Sequence, residues 1–190
     1  ARDHEEYLGS DLAGIAREKA GIFKAGSPII VGPQADSVRD ALEDEAHSKR
    51  AGSMLIHGQD LMSYEEHGRL VYQDENGLLD LPLPRLLGQH QISNAGMAIA
   101  ALRSRSGSGL FELGDDAIAQ GLQQVKWPGR LQQLTNGPLF DMAPKGAELW
   151  LDGGHNPNAG QMLAAALADL EDRSPRPLLM IVGMLKTKDP

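Results

Sequence analysis

Cysteine is absent from this 190-residue chain, which excludes disulfides and thiolate chemistry and fits a reducing cytosol without requiring one. A basic excess is absent too. Acids outnumber Lys and Arg by 26 to 18, for a net charge of -8, and the two signs are interspersed rather than blocked. With no basic stripe to neutralise phosphates, neither a nucleic acid nor an anionic membrane is an expected partner. No apolar run approaches the roughly 20 residues that span a bilayer, and the opening ARDHEEYLG lacks the basic-then-apolar pattern of a signal peptide. A phosphate-binding P-loop is also missing. No G-x-x-x-x-G-K-[ST] occurs, and the near-match Gly21-Ile22-Phe23-Lys24-Ala25-Gly26-Ser27 puts Ser27 where the lysine must stand.

What is present is ordinary globular material. Hydrophobic residues make up 41% of the chain, enough for a real core in one large domain or two small ones. Residues 11–22 are predicted to form a helix, capped by Ser10 or Asp11, with Leu12, Ile15, Ala16 and Ile22 near helical spacing. Pro28-Ile29-Ile30-Val31-Gly32 follows as a short buried strand, 37–50 as a charged amphipathic helix and 53–57 as the next strand. This alternation is that of an α/β domain with a largely parallel sheet. From 62 to 83 the period becomes two, and Asn76-Gly77 between apolar runs marks a hairpin, read as an antiparallel appendage on the sheet edge. Helices are expected at 92–104 and 115–124. Trp127-Pro128-Gly129-Arg130 is the expected domain boundary, dividing 1–127 from 128–190. Beyond it, strands at 131–134 and 149–151, a helix at 157–172 and a strand at 177–182 predict the opening βαβ of a second α/β domain.

Few stretches have the residue types of a reactive site. Lys19, in Arg17-Glu18-Lys19-Ala20-Gly21, is either one charge of a solvated helix face or a cation placed for an anionic ligand or metal cluster. His4, between Asp3 and Glu5-Glu6, is either solvated or the start of a divalent-cation site. His47, His57, His67 and His90 have no partners at ligand spacing and are expected to carry no chemistry. Asn94 reads as a helix cap or as an amide facing a nucleobase, and Arg130 as a phosphate fork or a plain salt bridge. The most specific stretch is Asp152-Gly153-Gly154-His155-Asn156-Pro157. It lies between a strand and a helix, where unpaired backbone N–H groups favour anions. There Asp152 can accept from ribose hydroxyls and His155 can donate to a developing negative charge. The plainer reading is a decorated turn, with Asn156 as cap and Pro157 in the first helical position.

Taken in order, these stretches resemble the folylpolyglutamate synthase and dihydrofolate synthase family of the Mur ligase superfamily. The residues concerned are Asp3-His4 with Tyr7-Leu8-Gly9, Arg17-Glu18-Lys19-Ala20-Gly21-Ile22-Phe23, Asn94-Ala95, Pro128-Gly129-Arg130, Asp152-Gly153-Gly154-His155-Asn156-Pro157, and Gly183-Met184-Leu185 with Lys188-Asp189. The resemblance implies a partial P-loop-type central ATPase domain followed by the first part of a Rossmann-like α/β C-terminal domain. It implies an ATP-dependent ligase of the cytoplasm, acting as a monomer on small molecules. ATP phosphorylates the carboxylate of a dihydropteroate or folyl substrate, and the amine of L-glutamate then attacks the acyl phosphate. On these positions His4 becomes a Mg2+ ligand and Lys19 a carboxylated lysine that helps hold the metal. Asn94 becomes an adenine contact, Arg130 and Asp152 contacts to ATP phosphate and ribose, and His155 a catalytic group near the phosphoryl transfer. The family's P-loop, with its Mg2+-binding serine and glutamate, is expected upstream of residue 1 and its glutamate site beyond Pro190. The chain is therefore expected to be a fragment, inactive alone and prone to aggregate through apolar sheet edges. Rival readings are a cell-wall or cyanophycin-type ligase and a non-catalytic paralogue that only binds nucleotide.

Overall fold

The computed structural model describes residues 11–106 and 112–185. They divide between two compact units, Ala1–Pro84 with His90–Gln124, and Arg85–Gln89 with Val125–Pro190.

In the first unit, helix α1 (Leu12–Lys19) is started by Asp11, whose carboxylate accepts from the N–H groups of Ala13 and Gly14 at 3.1 and 3.0 Å. This satisfies two of the orphan donors at a helix start. The predicted helix tightens into a 3-10 turn over Ala20–Ile22 and stops where Phe23 turns extended. Strand β1 (Ile29–Val31), helix α2 (Asp36–Ser48) and strand β2 (Met54–Ile56) form the expected βαβ unit, with β1 and β2 parallel and Ile30 opposite Leu55. Strand side chains alternate between faces. Ile29, Val31 and Ile56 accordingly pack with Ala46 and Leu42 of α2, while Ile30 and Leu55 join a second core on the opposite face.

That second core is built on a meander of β3 (Met62–Glu66), β4 (Arg69–Asp74) and β5 (Gly77–Pro82), covered by helices α3 (His90–Arg103) and α4 (Asp115–Gln124). The Asn76-Gly77 turn is where the sequence predicts it. Gly77 has φ +114°, and the Asp74 carboxylate accepts from Asn76 N–H at 2.8 Å. The meander is a separate three-stranded sheet rather than an edge extension of the parallel pair. Its attachment to α3 depends on close approach, because a methyl group on Gly96 would lie 2.3 Å from Ser63 Oγ. A buried polar network ties the same elements together: the Tyr72 hydroxyl donates to Asp74 Oδ2 at 3.0 Å, and Arg103 Nε pairs with that oxygen at 3.0 Å. Burial and the neighbouring carboxylate push the Tyr72 phenol well above its ordinary pKa.

The second unit holds β6 (Gln132–Leu134), a short helix α5 (Pro138–Met142), β7 (Leu149–Leu151) and helix α6 (Pro157–Arg173). Strands β6 and β7 pair antiparallel, with Gln132 opposite Leu151. The strand expected over 177–182 does not form; Leu179 and Ile181 are 87% and 93% exposed. An isolated apolar run has β-propensity, but its backbone groups become a strand only against a paired edge. None of the described strands pairs with it. The α/β class holds, whereas this unit has only the strand and helix of the predicted βαβ.

Candidate functional site

Two loops of the second unit are joined by hydrogen bonds at the start of α6. Asp152, immediately after β7, uses both carboxylate oxygens: Oδ2 accepts from Leu131 N–H and Oδ1 from Gly154 N–H, each at 2.7 Å. Gly153 N–H donates to the Gly129 carbonyl at 2.8 Å, and Gly129 N–H donates to Gln132 Oε1 at 3.0 Å. The Pro128-Gly129-Arg130-Leu131 loop is thus fixed against the Asp152-Gly153-Gly154 loop. Of the two consecutive glycines, Gly154 has a steric reason. A methyl on Gly154 would meet Asp152 Oδ1 at 2.9 Å and Ala159 Cβ at 3.2 Å, and one on Gly153 would meet the Gly129 carbonyl at 3.4 Å.

Leu131 is the strained member. Its φ of +39° lies in the left-handed region that a branched side chain avoids, yet the residue is 8% exposed. Such a conformation costs about 1–2 kcal/mol, and a charge-assisted bond like that to Asp152 offsets it. Exposed Arg130 reaches over the neighbouring loop, its Nη1 3.9 Å from where a Gly153 methyl would be. His155 is exposed, and its Nδ1 lies 2.9 Å from the Gly153 carbonyl. A carbonyl can only accept, so this bond puts a proton on Nδ1. Asn156 caps α6, accepting from Ala159 N–H at 2.8 Å, with Pro157 in the first turn. The plainer reading of Asn156 and Pro157 is therefore correct, and it coexists with a rim of hydrogen-bond donors. A guanidinium, an imidazole and the positive end of a 17-residue helix suit an anionic group such as phosphate.

The other candidates lie elsewhere. Lys19 is exposed in the last turn of α1, without an ion pair to another described residue. Asn94 is not a cap, since α3 begins at His90; it is exposed in the second turn and donates to Gln91 Oε1 at 3.1 Å. His4 lies outside the described residues. Arg130, Asp152 and His155 are brought together, while Lys19 and Asn94 belong to the other unit. No group of three or more His, Asp or Glu among the described residues forms a metal site. A cavity of about 360 Å³, lined by Glu43, His47, Arg50 and Met54 among others, contains none of the candidates. Sequence reasoning missed Gln132, whose side-chain contact with Gly129 N–H three residues back matches no standard turn or cap motif.

No family model matches the chain. Curated proteins do. The dihydrofolate synthase/folylpolyglutamate synthase of Escherichia coli K12 is 36% identical over 193 aligned positions, which take in 100% of this chain and 40% of that protein. The folylpolyglutamate synthase of Lacticaseibacillus casei is 30% identical over 202, covering 100% and 42%. The chain is a homologue, over part of their length, of the folylpolyglutamate and dihydrofolate synthases. It spans about two fifths of the length of these folate-synthase relatives. Solved folylpolyglutamate synthase structures have the same fold: an FPGS-AMPPCP-folate complex has a TM-score of 0.73 at 28% identity, covering 90% of this chain and 40% of that one. E. coli FolC in complex with DHPP and ADP has a TM-score of 0.70 at 32% identity, covering 93% and 37%. No described helix is long and apolar enough to cross a membrane.

Proposed function

We propose that the protein containing this chain is an ATP-dependent ligase that joins L-glutamate to dihydropteroate, a folyl substrate, or both. The carrying observation is the pair of joined loops at 128–131 and 152–155, which gather Arg130 and His155 at the start of α6 in a chain homologous to folate synthases throughout. In this reading the substrate carboxylate attacks the terminal phosphorus of ATP, releasing ADP. The glutamate amine then attacks the acyl carbon, the C–O bond to phosphate breaks, and inorganic phosphate leaves. Arg130 forks onto nucleotide phosphate, where a guanidinium gives two parallel bonds. His155, held by its Nδ1 contact with the Gly153 carbonyl, lies near the transferring group. Asp152 holds both loops and keeps lone pairs for a ribose hydroxyl.

The same proposal assigns residues 1–127 to the back of a central ATPase domain and 128–190 to the front of a C-terminal domain. It also places the protein in the cytoplasm as a monomer, with Asn94 facing adenine. Mg2+ accompanies ATP in such a reaction, with His4 and a carboxylated Lys19 as its ligands. The described residues do not by themselves assemble a donor set for it. The homologies favour the folate branch over a cell-wall or cyanophycin-type ligase. ADP release by the full-length protein tests the reading: release should require both glutamate and dihydropteroate or tetrahydrofolate. Release with UDP-muramyl substrates alone would establish the cell-wall reading instead, and nucleotide binding without turnover would establish the non-catalytic one.

A further inference from the structure

We infer that Gln132 is a positioning residue for Arg130: its side-chain carbonyl closes the Gly129-Arg130-Leu131 turn and thereby aims the guanidinium across the 152–155 loop. The inference rests on the reading that Arg130 contacts nucleotide phosphate. Gln132 opens β6, where its backbone is aligned by pairing with Leu151. From that fixed base Oε1 accepts from Gly129 N–H at 3.0 Å, three residues back. The turn so closed is one the chain does not prefer, because Gly129 has φ +72° and Leu131 φ +39°. Glycine adopts the first freely, whereas a leucine must be held in the second.

Three bonds hold the turn from outside its own backbone. Gln132 takes Gly129 N–H, Asp152 takes Leu131 N–H, and the Gly129 carbonyl accepts from Gly153 N–H. Arg130 sits in the middle, its backbone N–H donating to the Trp127 carbonyl at a long 3.3 Å. Its side chain is exposed and lies over Gly153, so the backbone of the turn sets the point from which the guanidinium reaches. Loss of the Gln132 contact frees Gly129, the most pliable residue of the turn, and lets the guanidinium sample many directions. The phosphate then meets Arg130 in a fraction of the population only, which weakens apparent binding by that fraction.

A double-mutant cycle on ADP affinity in the full-length protein tests this, with Arg130→Ala, Gln132→Ala, the double variant and Gln132→Glu. Gln132→Ala alone should weaken ADP binding by about three- to tenfold, the range for one lost hydrogen bond. In the Arg130→Ala background it should add nothing. Gln132→Glu keeps an oxygen acceptor for Gly129 N–H and should restore most of the affinity. Additive losses in the double variant, or full affinity in Gln132→Ala beside weakened Arg130→Ala, would overturn the positioning role. A separate readout guards against mere unfolding: amide exchange of Gly129 should quicken in Gln132→Ala while that of Leu149 and Trp150 in β7 stays unchanged. If Arg130→Ala binds ADP normally, the underlying reading of Arg130 fails, a result distinct from failure of the Gln132 contact.

Discussion

Gly153 and Gly154 are adjacent, yet the structure predicts opposite responses to a methyl group. Both have φ outside the left-handed region, so alanine is conformationally allowed at either and only space decides. At Gly154 the methyl would lie 2.9 Å from Asp152 Oδ1 and 3.2 Å from Ala159 Cβ. Ala159 is fixed in α6, so the carboxylate must move. That carboxylate holds Gly154 N–H and Leu131 N–H at 2.7 Å each. Overpacking of this kind costs about 1–3 kcal/mol, and the two charged bonds at stake, about 1.5–3 kcal/mol apiece, set the ceiling. At Gly153 the nearest atom is the Gly129 carbonyl oxygen at 3.4 Å, an ordinary contact. Gly153→Ala should therefore stay within about 0.5 kcal/mol of the parent or gain roughly 0.4–1 kcal/mol from a stiffer unfolded chain. Urea unfolding followed by tryptophan fluorescence is the assay, since Trp127 and Trp150, the two tryptophans of this chain, both lie in the second unit. A lower midpoint at unchanged slope is expected for Gly154→Ala only. Equal midpoints, or greater damage from Gly153→Ala, would refute the clamp.

Gly96→Ala should destabilise the first unit by about 1–3 kcal/mol through collision with Ser63 Oγ, less the roughly 1 kcal/mol that alanine returns to a helix; thermal unfolding measures the difference. Tyr72 supplies a pH test. Its raised folded pKa means the unfolded chain loses that proton first, so stability is intact below the ordinary phenol value of 10.0 and declines as pH rises above it. Tyr72→Phe should remove that part of the decline, with phenolate absorbance in the folded protein showing one late-titrating tyrosine fewer. In the full-length protein Lys19→Ala should abolish turnover and be partly rescued by short carboxylates; full activity in the variant would dispose of the carbamate.

Local chemistry made much of this legible from the amino acids. The runs Ile29-Ile30-Val31 and Met54-Leu55-Ile56 announce buried strands because each is short, apolar and bounded by turn residues, and they pair as expected. Asn76-Gly77 and Asn156-Pro157 announce a hairpin and a helix start because their backbone preferences are narrow. What stayed hidden depends on distant partners. The run Leu178-Leu179-Met180-Ile181-Val182 has every local mark of a strand, but a strand also needs an edge, and the run is exposed. Asn94 looked like a cap because Ser93-Asn94 resembles a helix start, whereas α3 begins earlier at His90 and leaves Asn94 in its second turn. The His67-Gly68 turn, with φ +50° and +74°, lacks the Asn-Gly or Asp-Gly pair that marks such a hairpin turn. At the candidate site, the residue types of Arg130, Asp152 and His155 suggested phosphate chemistry. The hydrogen bonds from Leu131 N–H to Asp152 and from Gly129 N–H to Gln132 connect backbone to side chain across 21 residues or across a turn, and no spacing rule reports them.

Labelling the pteroate carboxylate with heavy oxygen tests the central claim most directly. On the proposed route, run with the full-length protein, ATP and L-glutamate, a carboxylate oxygen would pass to phosphorus in the acyl phosphate and leave with it when the amine attacks the acyl carbon. The account predicts one labelled oxygen in the phosphate released for each amide bond formed. Unlabelled phosphate accompanying amide formation would contradict it.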